Sequence, residues 1–152
     1  MTLSRPKIER IVVPTDYSPC ADQALAWAVL HGHTFGAKIT VLHVVERHLH
    51  FAPAGYGDAP GKDAVEEDRA HLKSYVDERL GDQGLEIDLA VEIGEPPLKI
   101  REIAKRLDAD LIVMGTHGKS RLEDILFGSV TEKVLHHTGC PVLAVPPEAE
   151  PA

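Results

Sequence analysis

The chain has little cysteine, no long apolar run and no apolar leader, and each shortage excludes a class of protein. Only Cys20 and Cys140 occur in 152 residues, without a C-x-x-C pair, so neither a disulfide framework nor a cysteine zinc site is expected. No apolar run approaches the roughly 20 residues of a membrane-spanning helix. The opening residues MTLSRPKIER lack the apolar core of a signal peptide. We therefore expect a cytoplasmic protein without a membrane span.

Basic residues are also scarce, which bears on nucleic-acid binding. Lysine and arginine number 16 against 24 aspartates and glutamates, which gives a formal net charge of −8 and a pI near 5.5. No block rich in lysine and arginine offsets this acidic balance, so a protein that binds nucleic acid is not expected. The length and the 43% apolar share indicate one globular domain with a sizeable core.

Histidine, by contrast, is plentiful. There are nine histidines. On a helix, adjacent residues and residues two apart point away from each other, and no carboxylate or cysteine stands at ligand spacing beside the pairs. Ordinary surface or packing roles are favoured, and a metal site stays open as the alternative. The close pairs are His31 and His33, His48 and His50, and His136 and His137.

Apolar periodicity predicts strands and helices in strict alternation. The predicted strands are residues 11–13, 39–45, 85–92, 111–114 and 141–145. Predicted helices begin at Ser18-Pro19, near Asp63, at Pro96 and near Ser129. This order indicates a single α/β domain: an open parallel sheet with helices on both faces. In such sheets, ligands bind beyond the carboxyl ends of the strands, where the strand order reverses.

Local signals add detail at three places. Ser18 is placed to cap the first helix, and Gly36 to end it. The period-two pattern of residues 85–92 predicts a half-exposed strand at a sheet edge. In the last helix, Val130, Val134 and Leu135 are predicted to face inward.

The stretch MGTHGKSRLEDILFGSV, residues 114–130, is similar to a phosphate-binding loop without matching one. A Walker loop reads G-x-x-x-x-G-K-[ST], and Val113 stands where its first glycine belongs. Gly115 and Gly118 instead follow a buried strand. Glycine allows positive φ and lets a ligand approach the backbone closely, but a tight turn alone would also explain the two glycines.

Gly128 and Ser129 mark the far end of this stretch. Residues 129–132 read S-x-x-E, a capping box that places a helix N-terminus here. A helix N-terminus is a ready anion site, although a capped helix without a ligand is the plainer alternative. The two ends predict an arch. Its first end would line a sugar and inner phosphates, and its second end would meet outer phosphates.

Asp16 directly follows the first predicted strand. It could cap the first helix, but Ser18 already suits that role. A carboxylate at a strand end is suited to accept hydrogen bonds from two ribose hydroxyls. Asp16 is therefore the candidate for recognising a sugar.

These features together resemble a known family. The pattern G-x2-G-x9-G-S, filled by Gly115, Gly118, Gly128 and Ser129, resembles the ATP-binding type of the universal stress protein family. The segments VVPTDYS, VLHVV and CPVLAVP are similar to that family as well. The resemblance covers residues 1–146, which we take as one universal stress protein domain.

The resemblance implies a fold, a dimer and a set of site residues. The fold is adenine nucleotide alpha hydrolase-like, with five parallel strands in the order 3-2-1-4-5. The dimer is a homodimer joined through the last strand, residues 141–146. The tail at 147–152 is expected to be disordered. The implied contacts are Pro14, Thr15 and the backbone of Val44 to the base, Asp16 to the ribose, Met114, Gly115, His117 and Gly118 to the ribose and α-phosphate, and Gly128, Ser129, Val130 and Thr131 to the outer phosphates.

The function implied is that of a cytoplasmic, ATP-binding regulatory protein of the stress response. Mg²⁺ would be held through the nucleotide phosphates, with no metal ligand from the protein. No catalytic residue is assigned, because Asp16 is the only carboxylate in the site motifs and hydrolysis would want a base for water and a carboxylate for metal. Two alternatives stay open. One is a slow ATPase or phosphotransferase that acts with an unidentified protein partner, and the other is an interaction protein whose site is empty or holds AMP.

Overall fold

The computed structural model describes residues 1–46, 62–118 and 127–149. Residues 119–126 of the predicted arch, residues 150–152 of the predicted tail, and His48 and His50 lie outside these ranges. Strands and helices alternate along the described residues, as predicted. In chain order the elements are β1 (Arg10–Pro14), α1 (Pro19–Phe35), β2 (Lys38–Glu46), α2 (Lys62–Leu80), β3 (Ile87–Gly94), α3 (Pro96–Arg106), β4 (Leu111–Gly115), α4 (Ser129–His137) and β5 (Val142–Val145).

The strands form one parallel sheet in the order β3-β2-β1-β4-β5, which confirms the expected order. In the centre, Ile11 of β1 pairs with Ile39 of β2 on one side and with Leu111 of β4 on the other. β3 and β5 form the two edges, so the prediction of an edge strand near residues 85–92 is confirmed. β3 itself begins at Ile87, two residues later than predicted, and ends two residues later, at Gly94.

Two apolar cores lie on opposite faces of the sheet, because successive side chains of a strand point to opposite sides. In β1, Ile11 and Val13 pack under α1 and α2 with Leu25 and Leu72. Val12, between them, packs on the other face under α3 and α4 with Ile103. β1 and β4 are therefore buried on both sides, which explains their continuous apolar runs.

Helix α1 begins and ends at the residues that the sequence predicts. Ser18 Oγ accepts a hydrogen bond from Ala21 N at 3.2 Å, and Pro19 opens the helix. Gly36 has φ +66°, the left-handed conformation that glycine adopts at low cost after a helix. Both signals are local, and the structure confirms them.

Helix α4 departs from its prediction in two ways. Its N-cap is Gly128, and Ser129 is the first helical residue, so the capping box that we predicted does not form. The buried residues of α4 are Thr131 and Val134, whereas Leu135 is 38% exposed. The prediction that Leu135 faces inward is therefore wrong, because the buried face follows the i, i+3 pair of residues 131 and 134.

Candidate functional site

The candidate site lies where the strand order reverses, at the carboxyl ends of β1 and β4. β1 pairs with β2 on one side and with β4 on the other. The segments that follow them, residues 15–18 and 116–118, therefore emerge side by side at the same edge of the sheet. Ligands of open α/β sheets bind at such points.

Asp16 sits in a tight turn between β1 and α1. Its Oδ1 accepts a hydrogen bond from Ser18 N at 3.1 Å, and Thr15 Oγ1 accepts one from Tyr17 N at 3.0 Å. Ser18, and not Asp16, is the N-cap of α1, as the sequence indicates, but Asp16 still has a local role in the turn before the helix. One carboxylate oxygen closes the turn, which fixes the direction of the other oxygen, Oδ2.

Gly118 lies directly against that second oxygen. A Cβ atom added at Gly118 would be 2.6 Å from Asp16 Oδ2, far inside the normal contact distance. Gly118 is not among the glycines with positive φ, so close approach, and not backbone conformation, accounts for glycine here. The turn after β1 and the turn after β4 thus meet at one point.

Gly115 has a different neighbour. A Cβ atom at Gly115 would be 2.7 Å from Cys20 Sγ and 3.2 Å from the Cys20 carbonyl oxygen. Cys20 is buried, and its thiol donates to Val145 O at 3.3 Å. The absent side chain of Gly115 therefore lets the first turn of α1 pack against the end of β4.

The two described ends of the predicted arch are in contact. Gly128 N donates to Thr116 O at 2.6 Å, and a Cβ atom at Gly128 would be 3.4 Å from that same oxygen. This bond places the start of α4 beside the turn that carries Gly118. It also explains why Gly128, rather than Ser129, is the N-cap, since the bond holds residue 128 outside the helix.

The first turn of α4 brings backbone N–H groups to this junction. The first N–H groups of a helix have no acceptor within it. Here they belong to Ser129, Val130 and Thr131, because Glu132 N already donates to Gly128 O at 3.0 Å. Thr131 Oγ1 donates to Gly115 O at 2.8 Å, so this side chain ties α4 to β4. Main-chain N–H groups and the exposed Ser129 hydroxyl suit an anion here.

The backbone of Val44 faces the gap beyond the end of β1. Leu42 O points towards β1, because it accepts a hydrogen bond from Thr15 N at 2.8 Å. Backbone groups of a strand alternate with a period of two, so the N–H and C=O of Val44 point the same way. The Val44 side chain is buried in the core under α3. Only its backbone therefore faces this gap.

The remaining predicted site residues lie at the same edge of the sheet. Pro14 ends β1, and Met114, which is 4% exposed, packs into the core just before β4 ends. His117 follows, with its Nδ1 2.8 Å from Thr116 Oγ1. The structure thus gathers the predicted residues from both turns, from β2 and from the start of α4.

Three residues of this region were not predicted from the sequence. Cys20 packs under Gly115, and Thr116 holds Gly128 through its carbonyl. Tyr17 turns its ring towards α2, where burial raises its pKa to about 12 and the charge of Asp68 adds to the rise. No local pattern marks these contacts, because each joins segments that are distant along the chain.

Neither a metal site nor a membrane-spanning helix is seen in the part of the chain that the structure describes. There, no three His, Cys, Asp or Glu side chains are grouped so that they could hold a metal ion. Within the same residues, no helix combines the length and the apolar character that crossing a membrane requires.

Comparison with known proteins identifies the family. The sequence model of the universal stress protein family matches residues 7–146. The chain belongs to this family. It is 35% identical over 139 residues to universal stress protein MJ0531 of Methanocaldococcus jannaschii, over 90% of this chain and 81% of that protein. It is 30% identical over 148 residues to universal stress protein Sll1388 of Synechocystis, over 90% of this chain and 96% of that protein.

Solved structures of universal stress proteins share the fold. The structure of MJ0577, a universal stress protein of M. jannaschii, matches with a TM-score of 0.76 at 27% identity, over 93% of this chain and 98% of that one. A universal stress protein in complex with cAMP matches with a TM-score of 0.69 at 23% identity, over 92% and 98% of the chains. One from Archaeoglobus fulgidus in complex with dAMP matches with 0.65 at 24%, over 93% and 99%. The last two likenesses show the fold alone.

Proposed function

We propose that this chain binds ATP at the carboxyl edge of β1 and β4 and acts as a homodimeric, cytoplasmic regulator of the stress response. Membership of the universal stress protein family supports the link to stress. Two proteins of the same fold hold the adenine nucleotides cAMP and dAMP, which supports the class of ligand. Contacts among this chain's own residues support the position of the ligand.

The observation behind the proposal is the meeting of a carboxylate and a helix N-terminus at one point. Asp16 Oδ2 lies against Gly118, within 2.6 Å of where a Cβ atom would stand. Gly128, the N-cap of α4, is bonded to Thr116 at 2.6 Å, two residues before Gly118. The carboxylate suits the hydroxyls of a ribose, and the helix start suits phosphates. A nucleotide presents both groups.

The nucleotide would lie across the edge in one direction. Its base would occupy the gap beyond β1, where it meets Pro14, Thr15 and the backbone of Val44. Its ribose would meet Asp16 and the 114–118 turn, and its outer phosphates would meet residues 128–131. Mg²⁺ would be held through the phosphates, since the protein supplies no ligand for it in this assignment.

The homodimer would form through β5. β5 is an edge strand. Pro141 O accepts a hydrogen bond from Ile112 N of β4, and Val145 O accepts one from Thr116 N, directly after β4. Backbone groups alternate along a strand, so those of Val142 and Ala144 face away from β4. An identical β5 strand can satisfy them by pairing antiparallel about a two-fold axis.

A comparison of two ligands tests the ribose assignment. A hydrogen bond to a charged acceptor contributes roughly 1.5–3 kcal/mol, which is about ten- to a hundredfold in affinity. Wild type should therefore bind ATP at least about tenfold more tightly than 2′,3′-dideoxy-ATP by calorimetry. In Asp16→Ala this difference should nearly vanish, because the group that recognises the hydroxyls is gone.

Two control variants sharpen the comparison. Asp16→Asn keeps the shape and one acceptor, so its ligand difference should fall between those of wild type and Asp16→Ala. Ser129→Ala should weaken both ligands by a similar factor, since both carry the same phosphates. Equal binding of both ligands by wild type, or an undiminished difference in Asp16→Ala, would show that Asp16 serves only the turn.

Hydrolysis is proposed to be slow or absent without a partner. Asp16, the carboxylate assigned to the ribose, already has Oδ1 bonded to Ser18 N. A purified sample that turns over ATP at about 1 per second or faster, within the usual range of kinases, would favour an ATPase or phosphotransferase instead. Mass spectrometry of the small molecule released by denaturing fresh protein would separate ATP from AMP or an empty site.

A further inference from the structure

Tyr17, between Asp16 and Ser18, has a backbone conformation that side-chain-bearing residues avoid. Its φ is +63°, in the left-handed region. Among the described residues other than glycine, only Asp108 shares this region, and aspartate tolerates it better than tyrosine. Such a conformation persists only where the surroundings enforce it, and it concentrates at functional sites.

Three aromatic rings surround the ring of Tyr17. The His43 ring of β2 lies 4.5 Å away, centroid to centroid, at an interplanar angle of 36°. His71 and Tyr75, both of α2, meet Tyr17 edge-on at 4.6 Å and 5.0 Å. Contacts at these distances stabilise aromatic pairs beyond the burial of their surface. We call these three residues the ring cage.

The ring cage is itself anchored. His43 Nδ1 donates to Thr15 O at 2.9 Å, which ties the cage to the first residue of the turn. Tyr75 OH donates to Asp22 of α1, and Arg79 Nε donates to the same Asp22 oxygen at 2.7 Å. The cage therefore joins β2, α1 and α2 around Tyr17.

The conformation of Tyr17 determines where Asp16 points. Left-handed φ at residue 17 brings Ser18 N back to within 3.1 Å of Asp16 Oδ1. An extended or right-handed residue 17 would place Ser18 N elsewhere relative to Asp16. Oδ1 could then keep this bond only if the carboxylate turned, and Oδ2 would no longer be held against Gly118.

We propose that Tyr17 is a positioning residue, held left-handed by the ring cage so that Asp16 stays directed at the ribose. This inference rests on the proposed binding of a nucleotide. It gives α2 a part in sugar recognition, although α2 supplies no residue to the site.

The test compares ATP with 2′,3′-dideoxy-ATP in variants of the full chain. Tyr17→Gly adopts positive φ at no cost but lacks the ring, so nothing selects the left-handed state. We expect its preference for ATP to fall from at least about tenfold to under about threefold. Tyr17→Phe keeps the ring and should keep the wild-type preference. In Asp16→Ala, adding Tyr17→Gly should change the preference no further, because Tyr17 acts through Asp16.

The ratio of the two affinities separates positioning from general damage, which would weaken both ligands alike. If Tyr17→Gly does not fold, His71→Ala decides, since His71 is exposed and its loss removes one ring of the cage; a preference reduced at least about twofold supports the inference. A wild-type preference that survives in Tyr17→Gly, or in His71→Ala where that variant decides, overturns this inference alone. A wild type without any preference overturns the ribose assignment, and this inference with it.

Discussion

Replacing Gly118 with alanine should strain the protein at one identifiable atom. The new Cβ would stand 2.6 Å from Asp16 Oδ2. The carboxylate can withdraw only by rotating, and rotation breaks the 3.1 Å bond between Oδ1 and Ser18 N. Gly118→Ala is therefore a direct probe of the contact that joins the two turns.

The size of the effect follows from these two contacts. Overpacking by one methyl group costs typically 1–3 kcal/mol, and losing a bond to a charged acceptor falls in the same range. We expect Gly118→Ala to lower the free energy of unfolding by about 1–3 kcal/mol. In Asp16→Ala the obstacle is absent, and the same change should stabilise by about 0.4–1 kcal/mol, because alanine restricts the unfolded chain.

Urea unfolding of four proteins measures this coupling: wild type, the two single variants and the double variant. The cycle should give a coupling free energy of roughly 1.5 kcal/mol or more, well above the error for independent sites. Gly139→Ala is the matched control. No atom lies within 4 Å of a Cβ at Gly139, so that variant should be neutral or slightly stabilised in both backgrounds. Equal effects of Gly118→Ala with and without Asp16 would show that the two turns do not touch in solution.

Three further predictions concern other contacts. Burial raises the pKa of Tyr17 to about 12, above its usual 10.0, so the contribution of Tyr17 to the free energy of unfolding is full below about pH 10 and is lost between about pH 10 and 12. Tyr17→Phe should reduce this fall in the free energy of unfolding, and an unchanged fall would show that another group titrates. Thr131→Val removes the donor to Gly115 O but keeps the methyl group, and it should cost about 1–3 kcal/mol in urea unfolding. Thr131→Ser keeps the donor and should retain most of the stability, and a Thr131→Val variant as stable as wild type would show that the bond contributes nothing. Ala144→Pro removes an outward N–H of β5, so sedimentation should show monomers, and an intact dimer would place the interface elsewhere.

The sequence predicts best what short stretches of chain determine. The bounds of α1 follow from Ser18 and Gly36, whose signals act within four residues of themselves. The central strands β1 and β4 follow from apolar runs, because burial on both faces leaves no polar positions in those runs, whereas the edge strand β3 follows from a period-two pattern. The strand order required the resemblance to a family, since periodicity does not reveal which strands are neighbours.

The parts that the sequence could not predict depend on distant neighbours. At Gly118 the sequence left positive φ, close approach of a ligand and a tight turn open as reasons for glycine. Its φ is not positive, and it is glycine because Asp16, far away in the chain, occupies the space of a side chain. The S-x-x-E pattern at residues 129–132 predicted the wrong N-cap, because Thr116 O holds Gly128 in that position. The left-handed Tyr17 had no sequence signal, since the rings that enforce it come from β2 and α2.

The central place of β1 in the sheet has a consequence for how the protein is made. β2 follows β1 after one helix, but β4 comes much later in the chain. Asp110, just before β4, accepts a hydrogen bond from Arg10 N and lies 100 residues after it. At about 5–20 residues per second, one side of β1 stays unpaired on the ribosome for roughly 5–20 s. The contact between Asp16 and Gly118 likewise forms only after β4 has been synthesised, and with it the proposed nucleotide pocket. A nucleotide bound there would stabilise the finished chain but could not assist the folding of its first half.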